Sequence, residues 1–266
     1  MNEIGKYEKR TFPASRLLTT DICQIGSKKH YVQALVEFDV TIARDKIKEL
    51  KKVSPDISFN AWLIKCISTV CSDCKEIHGL RGGKRKVVIF DDVDISILIE
   101  REVDGKKVPL PFVLRKTNDK TIAEIHREIK EAQGQIVNTE GDYVLGQKWN
   151  DSLMKAFCFL PGFVRRFFLK VALRNPFLVK KSMGTVVFTS VAMMGRFRGH
   201  IIPIGIHPVL FGIGSINKTP GVVNGEIATR EFIKVTMLVD HDIVDGAPAA
   251  RALSKLTKLI ENAHGL

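Results

Sequence analysis

No stretch of this 266-residue chain offers the roughly 20 uninterrupted apolar residues that a membrane-spanning helix needs. Met1 to Arg10 is polar and lacks the apolar run of a signal peptide, so a cytoplasmic protein is the expectation. Cysteine is sparse: Cys23, Cys66, Cys71, Cys74 and Cys158 are odd in number and show no paired spacing, which excludes a disulfide framework. Cys71-x-x-Cys74 has no second pair to complete a zinc site, and it continues a helical stripe with Phe59, Trp62, Cys66 and Val70. Its thiols read as core, and no metal is expected. Acidic residues are the minority sign, 29 against 41 Lys and Arg, and the net charge of +12 favours anionic partners. No nucleic-acid motif accompanies short basic runs such as Arg81-Gly82-Gly83-Lys84-Arg85-Lys86, which read as solvated loop, so nucleic acid is not an expected partner.

What the chain does have is a 45% apolar composition, enough for a sizeable core, and residues 1–266 read as one domain. Val32, Ala34, Val36, Phe38 and Val40 alternate as the buried face of a strand. Ala43 to Lys52 is a charged helix, and Ser58 caps a longer one striped by Phe59, Trp62, Leu63, Cys66, Ile67 and Val70. Strands follow over Lys86 to Phe90, Val93 to Glu102 and Lys107 to Arg115, the last two joined by the hairpin dipeptide Asp104-Gly105. Thr121 and Glu124 form a capping box that opens a helix to Ala132. Pro203 to Ser215 reads as another buried strand, with His207 in a structural role.

The chain is organised around Val239-Asp240-His241-Asp242-Ile243-Val244-Asp245-Gly246. Glu231 to Val239 reads as a half-buried strand, Gly246 breaks it, and Pro248 suits the first turn of a helix carrying Ala250, Leu253, Leu256, Leu259 and Ile260. His241 thus stands at a strand end, where a polar side chain is held rigidly and still reaches a cleft. Asp245 lies four residues on.

This His-x-x-x-Asp-Gly pattern near the chain's end resembles the signature of the dihydrolipoamide acyltransferases of 2-oxoacid dehydrogenase complexes and of chloramphenicol acetyltransferase. Ser58 to Lys65 and the arginine-bearing Arg10 to Leu18 resemble the same family, and Gly184 to Gly195 is similar to its glycine-flanked strand carrying a hydroxyl residue. Phe188-Thr189-Ser190 selects Ser190 by likeness to the chloramphenicol enzyme, whereas counting from Gly184 selects Thr189. The resemblance implies an α/β (α+β) two-layer sandwich with a mixed sheet, assembled as homotrimers or multiples of trimers. It implies acyl transfer between a coenzyme A thioester and a thiol or hydroxyl acceptor. His241 would be the general base and Ser190, in preference to Thr189, the oxyanion donor, while Asp245 would fix the local turn through an arginine, with Arg16 the candidate. Asp242 stands where the family usually carries arginine.

No lipoyl domain or peripheral-subunit-binding domain is recognised before residue 10, so a lipoyl-carrier or small-molecule acceptor is expected to arrive in trans. Two other readings compete: a small-molecule O- or N-acetyltransferase, and a non-catalytic trimeric scaffold or membrane-surface module. Ser152 to Lys181 departs most from the family. Its six phenylalanines interleave with arginine and lysine. It suits packing on the core or a neighbouring subunit, a lid over an acyl pocket, or docking on a membrane surface.

Overall fold

The computed structural model of the chain describes residues 4–9, 12, 14–103, 106–134, 156–192, 195 and 197–266. The expected hairpin dipeptide Asp104-Gly105 lies outside the described residues, as do residues 10, 11 and 13 and the start of the phenylalanine-rich stretch.

In chain order the elements are α1 (Ala14–Gly26), β1 (Tyr31–Asp39), α2 (Thr41–Val53), α3 (Phe59–Asp73), β2 (Leu80–Arg81), β3 (Val87–Val88), β4 (Ile95–Val103) and β5 (Lys106–Leu114). They continue with α4 (Ile122–Gly134), α5 (Gly162–Ala172), α6 (Pro176–Met183), β6 (Val186–Ser190), β7 (Val209–Val223), β8 (Glu226–Asp240) and α7 (Gly246–Glu261). Six strands form one sheet in the order β1-β8-β7-β6-β4-β5. The pairs β4–β6 and β6–β7 are parallel and the rest antiparallel, so the sheet is mixed. Pro109 and Pro111 fall on β5, an edge strand, where a missing ladder donor is tolerated.

One face of the sheet meets the helices. Phe38, Ile95, Phe188, Phe211, Val235 and Met237 point into a core shared with α2, α3, α4 and α7. The caps form as their residues dictate: Ser58 accepts from Ala61 N at 3.3 Å, and Thr121 N donates to Glu124 while Glu124 N donates back to Thr121 Oγ1. Trp62 is fully buried and ties α3 to the C-terminal segment by donating Nε1 to His264 O at 2.9 Å. Cys66 and Cys71 lie in this core as free thiols, and burial pushes the Cys66 thiol up to about 12.

The opposite face is less completely covered. Residues 199–205 run across β7, and Gly212 is required there, since a Cβ would sit 2.7 Å from Ile201 O. Leu35 and Leu98 project from this face half-exposed, and Ile202 and Ile204 are exposed on the segment that crosses it. β7 and β8 outrun their neighbours as a two-stranded arm whose turn, Asn224-Gly225, has both φ angles positive, 52° and 85°. Pro203 to Pro208 is not strand, contrary to the sequence expectation, because β7 begins only at Val209.

Two buried histidines brace the junction below β6. His78 Nδ1 lies 3.0 Å from Thr185 Oγ1, and His207 Nε2 lies 3.0 Å from Met183 O. Burial, with Lys180 adding to it at His78, depresses both imidazoles to about 4. In the unfolded chain they protonate below about pH 6.5 and in the fold only near 4, so their contribution is full above 6.5 and is lost as pH falls toward 4. Urea unfolding should therefore lose stability from about pH 7 to 5, by up to about 1 kcal/mol per unit per histidine. A flat profile over that interval would contradict it.

Candidate active site

β8 carries the chain to Asp240 in its ladder with β1, and the next residues turn sharply into α7. Asp240 makes that turn. It is buried, its carbonyl accepts from Ile243 N (3.0 Å) and Val244 N (3.1 Å), and its own N–H donates to Pro208 O (2.8 Å). Its carboxylate accepts from Asp242 N at 3.3 Å and pairs with Lys29. His241 follows with its backbone N–H donated to His30 O at 2.7 Å, which leaves the imidazole exposed at the strand end. Among the described residues that imidazole has no hydrogen-bond partner.

Asp242, the departure from the family pattern, accepts from His30 Nδ1 at 2.9 Å. That hydrogen bond, with Arg81 and Lys29 nearby, holds its carboxyl below the usual carboxylate value. The negative charge is thus answered locally. Asp245 occupies the N-cap position of α7 but makes no side-chain cap bond, and it is exposed. Arg16 does not pair with it among the described residues. It lines a separate cavity of about 480 Å³ on α1, with Phe12, Thr20, Cys23 and Ile204. Among the described residues the ion pair at this turn is that of Asp240 with Lys29.

The two hydroxyl candidates diverge. Ser190 shares its face with Val186 and Phe188, which are in the helix-side core, and its Oγ accepts from Ala192 N at 3.4 Å. Thr189 therefore points to the opposite face, level with Gly212 and, through it, Thr236. It is half-buried, one residue beyond the Ile97–Phe188 pair and so beside exposed Leu98. A cleft of about 880 Å³ opens beyond the end of β6, lined by Ala192, Phe197, Arg198, Ile216 and Lys218, among others.

His241 lies far from both. The row through Thr189 meets β8 at Thr236, five residues short of His241 and two strands across. With about 3.3 Å per residue and about 4.8 Å per strand, their Cα atoms are about 20 Å apart. No rotamer closes that gap. Among the described residues no cluster of three or more His, Cys, Asp or Glu could hold a metal ion, and no helix is long and apolar enough to cross a membrane.

The profile of the 2-oxoacid dehydrogenases acyltransferase (catalytic domain) family matches residues 26–140 and 182–266. The chain belongs to this acyltransferase family. Among curated relatives, the lipoamide acyltransferase component of the branched-chain alpha-keto acid dehydrogenase complex of Bacillus subtilis is 23% identical over 96% of this chain. The chain spans 55% of that relative's length. Among solved structures, a dihydrolipoamide acetyltransferase from Azotobacter vinelandii superposes with a TM-score of 0.70 at 13% identity, covering 98% of this chain and 94% of the other. That structure was studied for the role of a serine, a histidine and an asparagine in its catalytic mechanism. A chloramphenicol acetyltransferase superposes with a TM-score of 0.50 at 13% identity, covering 95% of each chain. The fold expected from the sequence is thus the fold found. The family profile skips residues 141–181, which include the Ser152 to Lys181 stretch that stood out in the sequence.

The geometry separates two aspartates by their work. Asp240→Ala removes one partner of a buried ion pair together with the carboxylate's contact to the turn, and should cost about 3 kcal/mol in denaturant unfolding. Asp245→Ala, exposed and without a cap bond, should cost under about 0.5 kcal/mol. Equal costs would show that the turn is not held as described.

Proposed function

We propose that this chain is a coenzyme A-dependent acyltransferase whose active site is completed by a second copy of itself, with His241 from one subunit facing Thr189 of the next. The observation that carries the reading is the separation of about 20 Å between two family-motif residues in one protomer, combined with half-exposed Leu35 and Leu98 on the sheet face that the helices leave open. A neighbouring subunit laid on that face would cover those leucines and bring its own histidine toward Thr189. A closed homotrimer, or a larger assembly of trimers, is the symmetric arrangement that does this at every interface without leaving free ends.

In such a site the acceptor's thiol or hydroxyl gives its proton to the His241 imidazole as its sulfur or oxygen attacks the thioester carbonyl. The tetrahedral oxyanion accepts a hydrogen bond from Thr189 Oγ1, and its collapse expels the coenzyme A thiolate, which takes the proton back from His241. The base contributes about 10²–10⁴ in rate and one oxyanion donor about 10²–10³. Thr189 is preferred to Ser190 because Ser190 faces the protomer's own core. Asp245 and Arg16, both exposed, keep a role only across the subunit contact. In the cleft beyond β6, where Arg44 and Glu231 pair with each other, Arg198 and Lys218 suit the phosphates of coenzyme A. The acceptor is a lipoyl group, in line with what the relatives are named for.

The test follows release of free coenzyme A thiol from a panel of acyl-CoAs, with dihydrolipoamide or a separate lipoyl domain as acceptor. Wild-type protein should turn over. His241→Ala should lower the rate by about 10²–10⁴ without loss of fold or assembly. Thr189→Ala should lower it by about 10²–10³, and Ser190→Ala by far less. Undiminished turnover of the His241 variant would end the mechanism, and the reverse order of the two hydroxyl variants would return the donor role to Ser190.

A further inference from the structure

α5 is amphipathic with its polarity inverted. Arg165 faces inward, buried, donating to Asp21 of α1 at 2.7 Å and to Leu160 O at 2.6 Å. Phe163, Phe167 and Val171, spaced by one helical turn each, face outward at 71%, 63% and 46% exposure, with Phe168 beside them. The stripe extends on either side: Phe159 is 90% exposed just before α5, and Phe177 of α6 is 66% exposed. A helix in water hides such side chains and shows its arginines. The inversion is fixed by the buried Asp21 carboxylate, which holds Arg165 and Arg166 and so decides which face of α5 turns out.

The charge of the patch is one-sided. Residues 156–183 contain six Lys and Arg and no Asp or Glu. Lys170 and Arg174 are exposed beside the aromatic stripe, and their side chains make no ion pair with any described residue. Apart from Ser182 and Met183, both helices lie within 141–181, outside the matched acyltransferase segments. α6 is anchored to the domain at the His241 end: Lys180 pairs with Asp94, and Met183 O meets His207, next to the Pro208 that accepts from Asp240.

We propose that this face of α5 and α6 docks in plane on an anionic lipid surface. The phenylalanines enter the boundary between headgroups and acyl chains, and Lys170 and Arg174 meet lipid phosphates. The occupant follows from charge. A second copy docking patch to patch would set like charges against each other, and an uncharged acyl chain would leave Lys170 and Arg174 unanswered. An anionic bilayer answers the aromatics and the cations together. The inference does not depend on the acyl-transfer reading.

The measurement is sedimentation of the full chain with vesicles. Binding is expected to mixed phosphatidylglycerol and phosphatidylcholine, weak binding to phosphatidylcholine alone, and release at high salt. Lys170→Glu with Arg174→Glu should lower partitioning by more than about tenfold. Phe163→Ser with Phe167→Ser should do the same, and both pairs should leave circular dichroism, assembly size and coenzyme A release unchanged. No sedimentation of wild-type protein with the anionic vesicles, or equal sedimentation with both kinds, overturns the proposal. So does dissociation of the serine variant into smaller species, which would make the stripe a subunit contact. Selective loss of long acyl donors without loss of vesicle binding would make it a lid instead, and also overturns it.

Discussion

A buried carboxylate at the end of β8 is the constraint on which the His241 turn depends. Asp240 cannot sit there unpaired, so the chain supplies Lys29 for its charge and three backbone contacts for its turn. The consequence is positional. With Asp240 fixed, His241 has one place to go, outward, with its amide held by His30 O. The same segment of chain, Lys29 to Tyr31, also engages Asp242 and, through the Tyr31 hydroxyl, Gly205 O and His207 O. One strand start thus clamps the histidine turn, the segment crossing the open face and the buried His207.

The second constraint is the inequality of the two sheet faces. Helices α2, α3, α4 and α7 close one with a continuous core, and Ser190 looks into it. The other carries Thr189 and half-exposed leucines. That open apolar surface is what the proposed subunit contact would cover. The sheet's length sets the two residues apart within one chain: β8 holds His241 at one end, and the row of Thr189 crosses it five residues earlier. Inverted helix α5 presents a second apolar surface, this one flanked by cations.

Local order is legible in the sequence because its determinants are local. The Thr121–Glu124 box, the Ser58 cap, the β1 alternation and the strand-to-helix switch around His241 are each set within a few residues. Long-range order is not. Lys29 and Asp240 are 211 positions apart, and nothing in either neighbourhood announces the other. In the sequence Asp240 is one more polar residue beside a histidine, while Asp245 stands out through its family spacing. The motif favours Ser190 over Thr189, but a one-residue shift on a strand exchanges its faces, and only the position of Phe188 in the core decides which hydroxyl looks outward. The phenylalanine-rich stretch is conspicuous in the sequence; its inversion is visible only in the pairing of Asp21 with Arg165.

The most direct test of a site shared between subunits is complementation. His241→Ala and Thr189→Ala chains, each impaired alone, are unfolded together, refolded as an equimolar mixture, and assayed for coenzyme A release. If the two residues act across an interface, about a quarter of the sites in random mixed trimers regain both groups, and activity rises well above the sum of the separately refolded variants. No recovery, in a mixture shown by mass to contain hybrid assemblies, would place both residues' work within one subunit and contradict the shared site.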